Sequence, residues 1–343
     1  MICSKFLIIT ALLAASIFVQ ASPSVARGSD NLSQLIDKLD QNELTYFSRI
    51  LKDEANKKEN ENLVQVLTNE HVTLLVPENK AFDSNSSSPS LGSNPGDIIS
   101  YSTIFGDLDS GFKTPNSSIS RRDPAENHVQ GKSAYKSPQK KSKKRWTSQF
   151  DENQVVYFNK FVSGQRKRWD PVVYVDRPVD SAKVVNMFSC KNVFVLVVNL
   201  ILTLPGTVSD VLCKPLIPST PNGFTKFGGA LQKVSLLDTI DNGKRLTIFA
   251  PTDEAFNRAG NISDADLAQV LKNHFFFGGP ILYSGLFPTT SEVPAESGKK
   301  IKPSFDNGVA TVKCGKDQAQ VLRSDIITNN GVMHVLDKVL KCD

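Results

Sequence analysis

The sequence predicts a chain built from two copies of one domain, each mixing β-strands with short α-helices. Two observations carry this. Leu246–Phe256 reads LTIFAPTDEAF, an apolar β-type run that stops at Pro251 and enters a helical turn near Ala255. There Thr252 and Asp253 offer side-chain oxygens to the free N–H groups of the turn. A worn copy of the same strand-stop-helix signature stands upstream at Val72–Phe82, VTLLVPENKAF, with Thr, Pro, Ala and Phe at matching places. Internal self-similarity of this kind marks a duplicated unit.

The chain opens with Lys5, the apolar run Phe6–Val19 and the triplet Val19-Gln20-Ala21, with small residues at both its ends. Residues 1–21 therefore read as a secretory signal, too short and wrongly flanked for a membrane anchor. The last residues, LDKVLKCD, carry no apolar tail, so no lipid-anchor signal is expected. A secreted, extracellular chain of roughly 320 residues would remain, enough for two domains with real cores. Its cysteines are Cys190, Cys213, Cys314 and Cys342, which allow up to two disulfides and three connectivities. Pairing of Cys314 with Cys342 is favoured because both flank the final strand region. No Cys-x-x-Cys pair supports a zinc or redox site. Sequons begin at Asn31, Asn85, Asn116 and Asn261, compatible with surface glycans.

Leu32, Leu35, Ile36 and Leu39 recur at helical spacing, with Asp30 or Ser33 as the cap. A second helix is predicted over Thr45–Ala55, followed by a solvated loop over Lys57–Asn62. Leu63–Leu67 then leads to the first signature copy. SNSSSPSLGSNPG, after Phe82, is a loop by composition, and Ile98–Phe105 is a short ordered piece. Residues 113–148 are poor in apolar side chains and end in the basic run KSPQKKSKKR, so they read as disordered. Strands follow at Val155–Phe158, Val172–Val175 and Val184–Met187. Val193–Leu204 is a buried central strand, too short to span a bilayer.

In the second copy, helices are expected from Val208 and over Phe224–Val234. Ser263 with Asp266 reads as a capping box for a helix over Asp264–Phe275. That helix places His274 on the core face beside Leu267, Val270 and Leu271. Ala310–Lys313 and Gln320–Leu322 read as strands. Asn329-Asn330-Gly331 reads as a hairpin turn of the Asn-Gly type, and Val332–Leu340 as the last strand. Phe82 to Leu202 spans 120 positions and Phe256 to Leu340 spans 84, an excess of 36 in the first copy. The basic stretch 113–148 is thus read as an insertion into a domain over residues 29–205. A second domain covers residues 207–343.

LTIFAPTDEAF resembles the first signature box of the fasciclin domain, and Ser324–Leu340, SDIITNNGVMHVLDKVL, resembles its second box. Leu271–Gly278 is similar to the family's central Tyr-His element, with Asn273 where tyrosine is usual. The first copy matches more loosely: it has Glu78-Asn79 in place of Thr-Asp and Leu196 where the second has His334. The joining phrase VVNLILTLPGTVSDVL is similar to tandem fasciclin proteins of fungi. The resemblance implies an α+β fold with a β-wedge or sandwich and short packed helices. It also implies adhesion or matrix association, with Thr247, Pro251, Asp253, Phe256, Gly331 and His334 as structural motif residues. The family's adhesion surfaces map onto Asn273, His274, Phe275 and Phe276 and onto Asp325 and Ile326.

His274 and His334 sit among core-pattern residues, with no nucleophile elbow, paired carboxylates or HExxH beside them. They read as structural histidines, and no catalytic residue, cofactor or metal site is expected. No Arg-Gly-Asp occurs. Lys140, Lys141, Lys143, Lys144 and Arg145 read either as a polyanion-binding cluster or as a solvated loop. A third reading is that the dibasic pairs Arg121-Arg122, Lys144-Arg145 and Lys167-Arg168 are processing sites. The functional expectation is a secreted, non-enzymatic adhesion or cell-wall protein whose partners are cell-surface or matrix components rather than nucleic acid. The alternative is a soluble binding module for anionic polysaccharide or a small apolar ligand.

Overall fold

The computed structural model describes residues 23–82, 91, 94–106, 128–136, 153–161 and 172–343. The expected signal 1–21, the cluster Lys140–Arg145, the three dibasic pairs, Asn85 and Asn116 lie outside the described residues.

The N-terminal half begins with helices α1 (Pro23–Gln41), α2 (Thr45–Ala55) and α3 (Glu61–Asn69). Leu35, Leu39, Phe47, Leu51, Leu63 and Leu67, set at helical spacing, bury into one cluster. Two expectations are corrected here. Asp30 and Ser33 lie inside α1 rather than at its start, so neither caps it. The stretch expected as a solvated loop to Asn62 is a short 3-10 turn running into α3. The Asn60 amide tightens that turn by donating to the Glu54 backbone carbonyl at 3.1 Å and to its carboxylate at 2.8 Å.

Next come β1 (Val72–Pro77), α4 (Pro95–Ser102), β2 (Thr103–Phe105), β3 (His128–Lys136), β4 (Asn153–Phe161), β5 (Val172–Val175), β6 (Ala182–Cys190) and β7 (Val193–Val198). They close a barrel in chain order, completed by parallel pairing of β1 with β7. β3 falls inside the stretch expected to be disordered, which corrects that reading. Its polar composition hid it; partners supply the register, through Val129↔Phe158 and Ile104↔Ser133, with Val156, Phe158 and Ser133 buried. The buried strand expected over Val193–Leu204 stops at Val198, where Asn199 turns back onto Lys183.

The C-terminal half holds α5 (Val208–Leu212), α6 (Thr225–Lys233), α7 (Leu237–Asn242), β8 (Leu246–Pro251), α8 (Asp253–Ala259), α9 (Asp264–Lys272) and β9 (Phe275–Phe276). It continues through β10 (Val293–Pro294), β11 (Lys300–Asp306), β12 (Val309–Cys314), β13 (Asp317–Thr328) and β14 (Gly331–Leu336). α5 starts with a full capping box between Thr207 and Asp210. The sheet order is β10-β11-β12-β13-β14-β8-β9, and β14 runs parallel to β8. Each half thus has the same strand-neighbour order, except that the β9–β10 edge stays open where β2–β3 closes. Leu75 faces Leu196 in one parallel pair, as Phe249 faces His334 in the other.

α9 ends at Lys272, short of the expected Phe275, because Phe275 and Phe276 leave it to pair with β8. β13 and β14 are joined by Asn329-Asn330, with Thr328 opposite Gly331. Neither asparagine has positive φ, so the turn is not of the primed Asn-Gly type. Gly331 meets a different need: a Cβ there would lie 1.9 Å from the Leu246 carbonyl oxygen. The primed Asn-Gly turn stands instead at Asn307-Gly308, φ 53° and 83°, between β11 and β12.

β14 ends at Leu336 rather than Leu340. The following residues are held by side chains: Asp317 accepts from the N–H groups of Lys341 (2.8 Å) and Cys342 (3.0 Å). Cys314 and Cys342 form a disulfide across this segment, while Cys190 (half-buried) and Cys213 (exposed) are free.

Candidate functional site

The site is built outward from β8. Thr252 is the N-cap of α8, its hydroxyl accepting from the Ala255 N–H at 3.1 Å. The Asp253 carboxylate instead caps a neighbouring helix, accepting from the Lys226 N–H at 2.8 Å and from the Thr225 hydroxyl at the start of α6. Asn79 does the same in the N-terminal half, accepting from the Tyr46 N–H at 3.1 Å and donating to the Thr45 hydroxyl at 3.1 Å. Asp253→Ala is expected to cost about 1 kcal/mol, the usual loss for a helix cap, measurable as a lowered denaturation midpoint.

His274 and His334 are fully buried. His274 Nδ1 donates to the Val270 carbonyl at 2.9 Å, and its Nε2 accepts from the Leu340 N–H at 3.0 Å. His334 Nδ1 accepts from the Asp325 N–H at 3.3 Å, and its Nε2 donates to the Leu282 carbonyl at 2.9 Å. These pairings fix one neutral tautomer for each ring. Burial pushes His274 down to about 4, against its backbone hydrogen bonds, and also lowers His334, against the nearby Asp325 charge. His334 stacks on Phe249 at 5.3 Å and meets Phe287 at 5.2 Å. Thr247 and Asp325 hold the same crossing chain: Thr247 accepts from the Leu282 N–H at 2.9 Å, and Asp325 from the Ser284 N–H at 2.8 Å. Gly331 and Pro251 are buried at the two ends of the β8–β14 pair, while Phe256 is half-buried against Phe227.

The residues mapped to adhesion surfaces are corrected by this geometry. Asn273, His274, Phe275, Phe276, Asp325 and Ile326 are all buried, none exposing more than 5% of its surface. Asn273 donates to the carbonyls of Leu340 and Lys341, both at 3.0 Å, and so ties the C-terminal segment down. Of the sequon asparagines, Asn261 is exposed, whereas the Asn31 amide nitrogen donates to the Thr68 carbonyl at 3.0 Å within α1. Asn31 itself is half-buried.

Sequence reasoning missed Arg323. Asp325 takes a positive φ of 59° where the β13 register slips, and this bulge aims Arg323 at the N-terminal half. Its guanidinium donates to the carbonyls of Pro178 (2.6 Å), Leu216 (2.6 Å) and Arg177 (2.7 Å). Beside it, Gln154 donates to the Asn329 carbonyl at 2.7 Å, and the Asn329 N–H donates to the Gly206 carbonyl at 2.8 Å. The cleft between Tyr101, Arg177, Arg323 and Ile326 leaves about 20 Å³, room for one water and not for an apolar ligand. Arg323→Ala is expected to weaken the seam by about 2 kcal/mol, through lost charge-assisted hydrogen bonds. Calorimetry should then show the halves melting less cooperatively.

Residues 222–342 match the family model described as Fasciclin domain. This chain carries a fasciclin domain. Transforming growth factor-beta-induced protein ig-h3 of Sus scrofa is 32% identical over 145 residues, covering 40% of this chain and 19% of that protein. A fasciclin-like arabinogalactan protein of Arthroderma benhamiae is 33% identical over 143 residues, covering 40% of this chain and 31% of that protein. The chain therefore spans less than a third of either relative. A solved fasciclin-domain pair from the insect cell adhesion molecule fasciclin I aligns with 88% of this chain and 97% of that one, at 17% identity and TM-score 0.37. Within the fasciclin domain, the signature residues are those that bind β8, the crossing chain and the C-terminal segment together. No helix among the described residues is long and apolar enough to cross a membrane.

Proposed function

We propose that this is a secreted, non-enzymatic protein that associates with extracellular matrix or cell wall through two fasciclin-type domains. Residues 207–343 are the intact copy and residues 29–205 a degenerate one. The observation that supports this best is the fasciclin match over 222–342, joined by the matching strand order of the N-terminal half. Leu196 in the place of His334 marks the degeneracy. The partner is a cell-surface, matrix or wall component, met by the exposed surface that the buried boxes shape. Retention of the secreted chain on wall or matrix preparations tests this. Deleting residues 207–343 should abolish retention that survives a high-salt wash, and deleting residues 136–145 should spare it. The second reading is a soluble binder of anionic polysaccharide that uses the basic run. It predicts the reverse pattern, with elution by moderate salt.

A further inference from the structure

Between Lys299 and Lys316 the chain carries five lysines and a single carboxylate, Asp306. The β11–β12 pairing sets Lys302 directly opposite Lys313, two like charges on neighbouring strands. Such a pair destabilises a sheet unless a counter-charge lies against it. Both lysines are exposed, and neither forms an ion pair among the described residues. Lys299 and Lys300 join them in lining one shallow groove of about 720 Å³. Its acidic members are Glu292, held by Lys300 at 3.2 Å, and Asp343.

Alternation along β11 and β12 turns Ile301, Pro303, Val312 and Cys314 inward, and leaves the lysines outward. The next outward row is polar and uncharged: Ser304 faces Thr311 with their hydroxyls 2.8 Å apart, and Gln320 lies opposite Thr311. Gln318 extends the lysine row beyond Lys313. Flat ladders of hydroxyls and amides beside ammonium groups suit a ligand that carries both hydroxyls and anionic groups. The groove has no aromatic lining on which nucleic-acid bases could stack, and the exposed apolar residues Val309 and Leu322 lie beyond the Ser304–Thr311–Gln320 row, away from the lysines. Lysine ammonium groups act here as point charges, which suits carboxylate or sulfate without fork-shaped pairing.

We propose that the β11–β12 face of the C-terminal half is a binding site for an extended anionic polysaccharide. Lys299, Lys300, Lys302 and Lys313 neutralise its carboxylate or sulfate groups, and the Ser304–Thr311–Gln320 row meets its hydroxyls. The site is distinct from the basic run at Lys140–Arg145. It adds a contact to the matrix association proposed above without depending on it, because that reading is scored on retention after a high-salt wash.

The test uses the full chain with Lys140, Lys141, Lys143, Lys144 and Arg145 all replaced by Gln, so that the run contributes nothing. Binding to polygalacturonate and to dextran sulfate is measured at several salt concentrations. Neutral dextran, a single-stranded oligonucleotide and phosphatidylserine vesicles are the comparisons. The expected result is salt-dependent binding to one or both anionic polysaccharides. It should fall roughly tenfold, the effect of removing two exposed charge contacts, in Lys302→Gln/Lys313→Gln at unchanged melting temperature. Lys299→Gln/Lys300→Gln, as a second variant, should weaken it in the same direction. Absence of binding in this background, binding by both variants as strong as that of the parent chain, or preference for the oligonucleotide or vesicles would overturn the proposal.

Discussion

Gly331→Ala is expected to prevent the C-terminal half from folding cooperatively. β14 lies parallel to β8 with Gly331 opposite Leu246. An added Cβ would stand 1.9 Å from the Leu246 carbonyl oxygen, 2.7 Å from its carbon and 2.8 Å from its nitrogen. These are backbone atoms, and no side-chain rotation relieves them. The strand end must therefore separate. That breaks the 3.0 Å bond from the Leu246 N–H to the Asn330 carbonyl, and shifts the buried Asn330 side chain off the carbonyls of Ile240 (2.7 Å) and Gly243 (2.8 Å). Steric strain combined with unpaired buried groups places the cost above about 4 kcal/mol, a large share of a domain's stability. The N-terminal half has Val193 at this place, opposite Val72, while Asn192 still donates to the Leu67 and Glu70 carbonyls. The constraint is thus local to the C-terminal half. Denaturant titration followed by hydrogen exchange should show protection lost from β8 and β14 and kept in β1 and β7. A wild-type midpoint would contradict the packing described.

Acid is expected to weaken the same half. Folding holds His274 near 4, below its ordinary value of 6.5, and lowers His334 as well, in both cases chiefly through burial. Above the ordinary histidine value both states are neutral, and the full stability is present. As pH falls from 6.5 toward 4, the unfolded chain takes up protons that folded His274 refuses, so stability declines and the loss is complete once folded His274 is itself protonated. For His274 alone the loss is on the order of 3 kcal/mol, and His334 adds to it in the same direction. Protonation would also set Nε2–H of His274 against the Leu340 N–H, and Nδ1–H of His334 against the Asp325 N–H, each a donor facing a donor. Ser102 and Leu196 occupy the matching positions of the N-terminal half, so these transitions are confined to the fasciclin domain. Denaturation midpoints measured between pH 7 and pH 4 should fall, with β8 and β14 opening before β1 and β7. A flat profile would contradict the buried neutral rings.

Much of the scaffold was legible because it obeys local rules. The apolar runs of β1 and β8, the Thr252 and Ser263 caps, and the helical spacing of Phe227 and Leu231 all act within a few residues of themselves. β3 was not legible: Gln130, Gly131 and Lys132 carry no strand pattern, and only β4 and β2 give them a register. The end of α9 was misplaced for a similar reason, since pairing with β8 outweighs the helical period at Phe275. The site was half legible. The boxes could be located by their residues, and His274 and His334 read correctly as interior. The inward placement of Asp325 and Ile326 depends on a bulge that no spacing announces. Arg323 looks like any surface arginine until three carbonyls from two other segments close around it.

The fasciclin signature residues act from inside, holding the exposed surface of the C-terminal half in shape. His334→Leu tests it most directly, because the N-terminal half already carries Leu196 at that position. Melting temperature and retention on wall or matrix preparations should be measured on the same sample. A lowered melting temperature is expected, from loss of the hydrogen bonds that His334 makes with the Asp325 N–H and the Leu282 carbonyl, with retention unchanged wherever the variant is folded. Unchanged melting with retention abolished would contradict it.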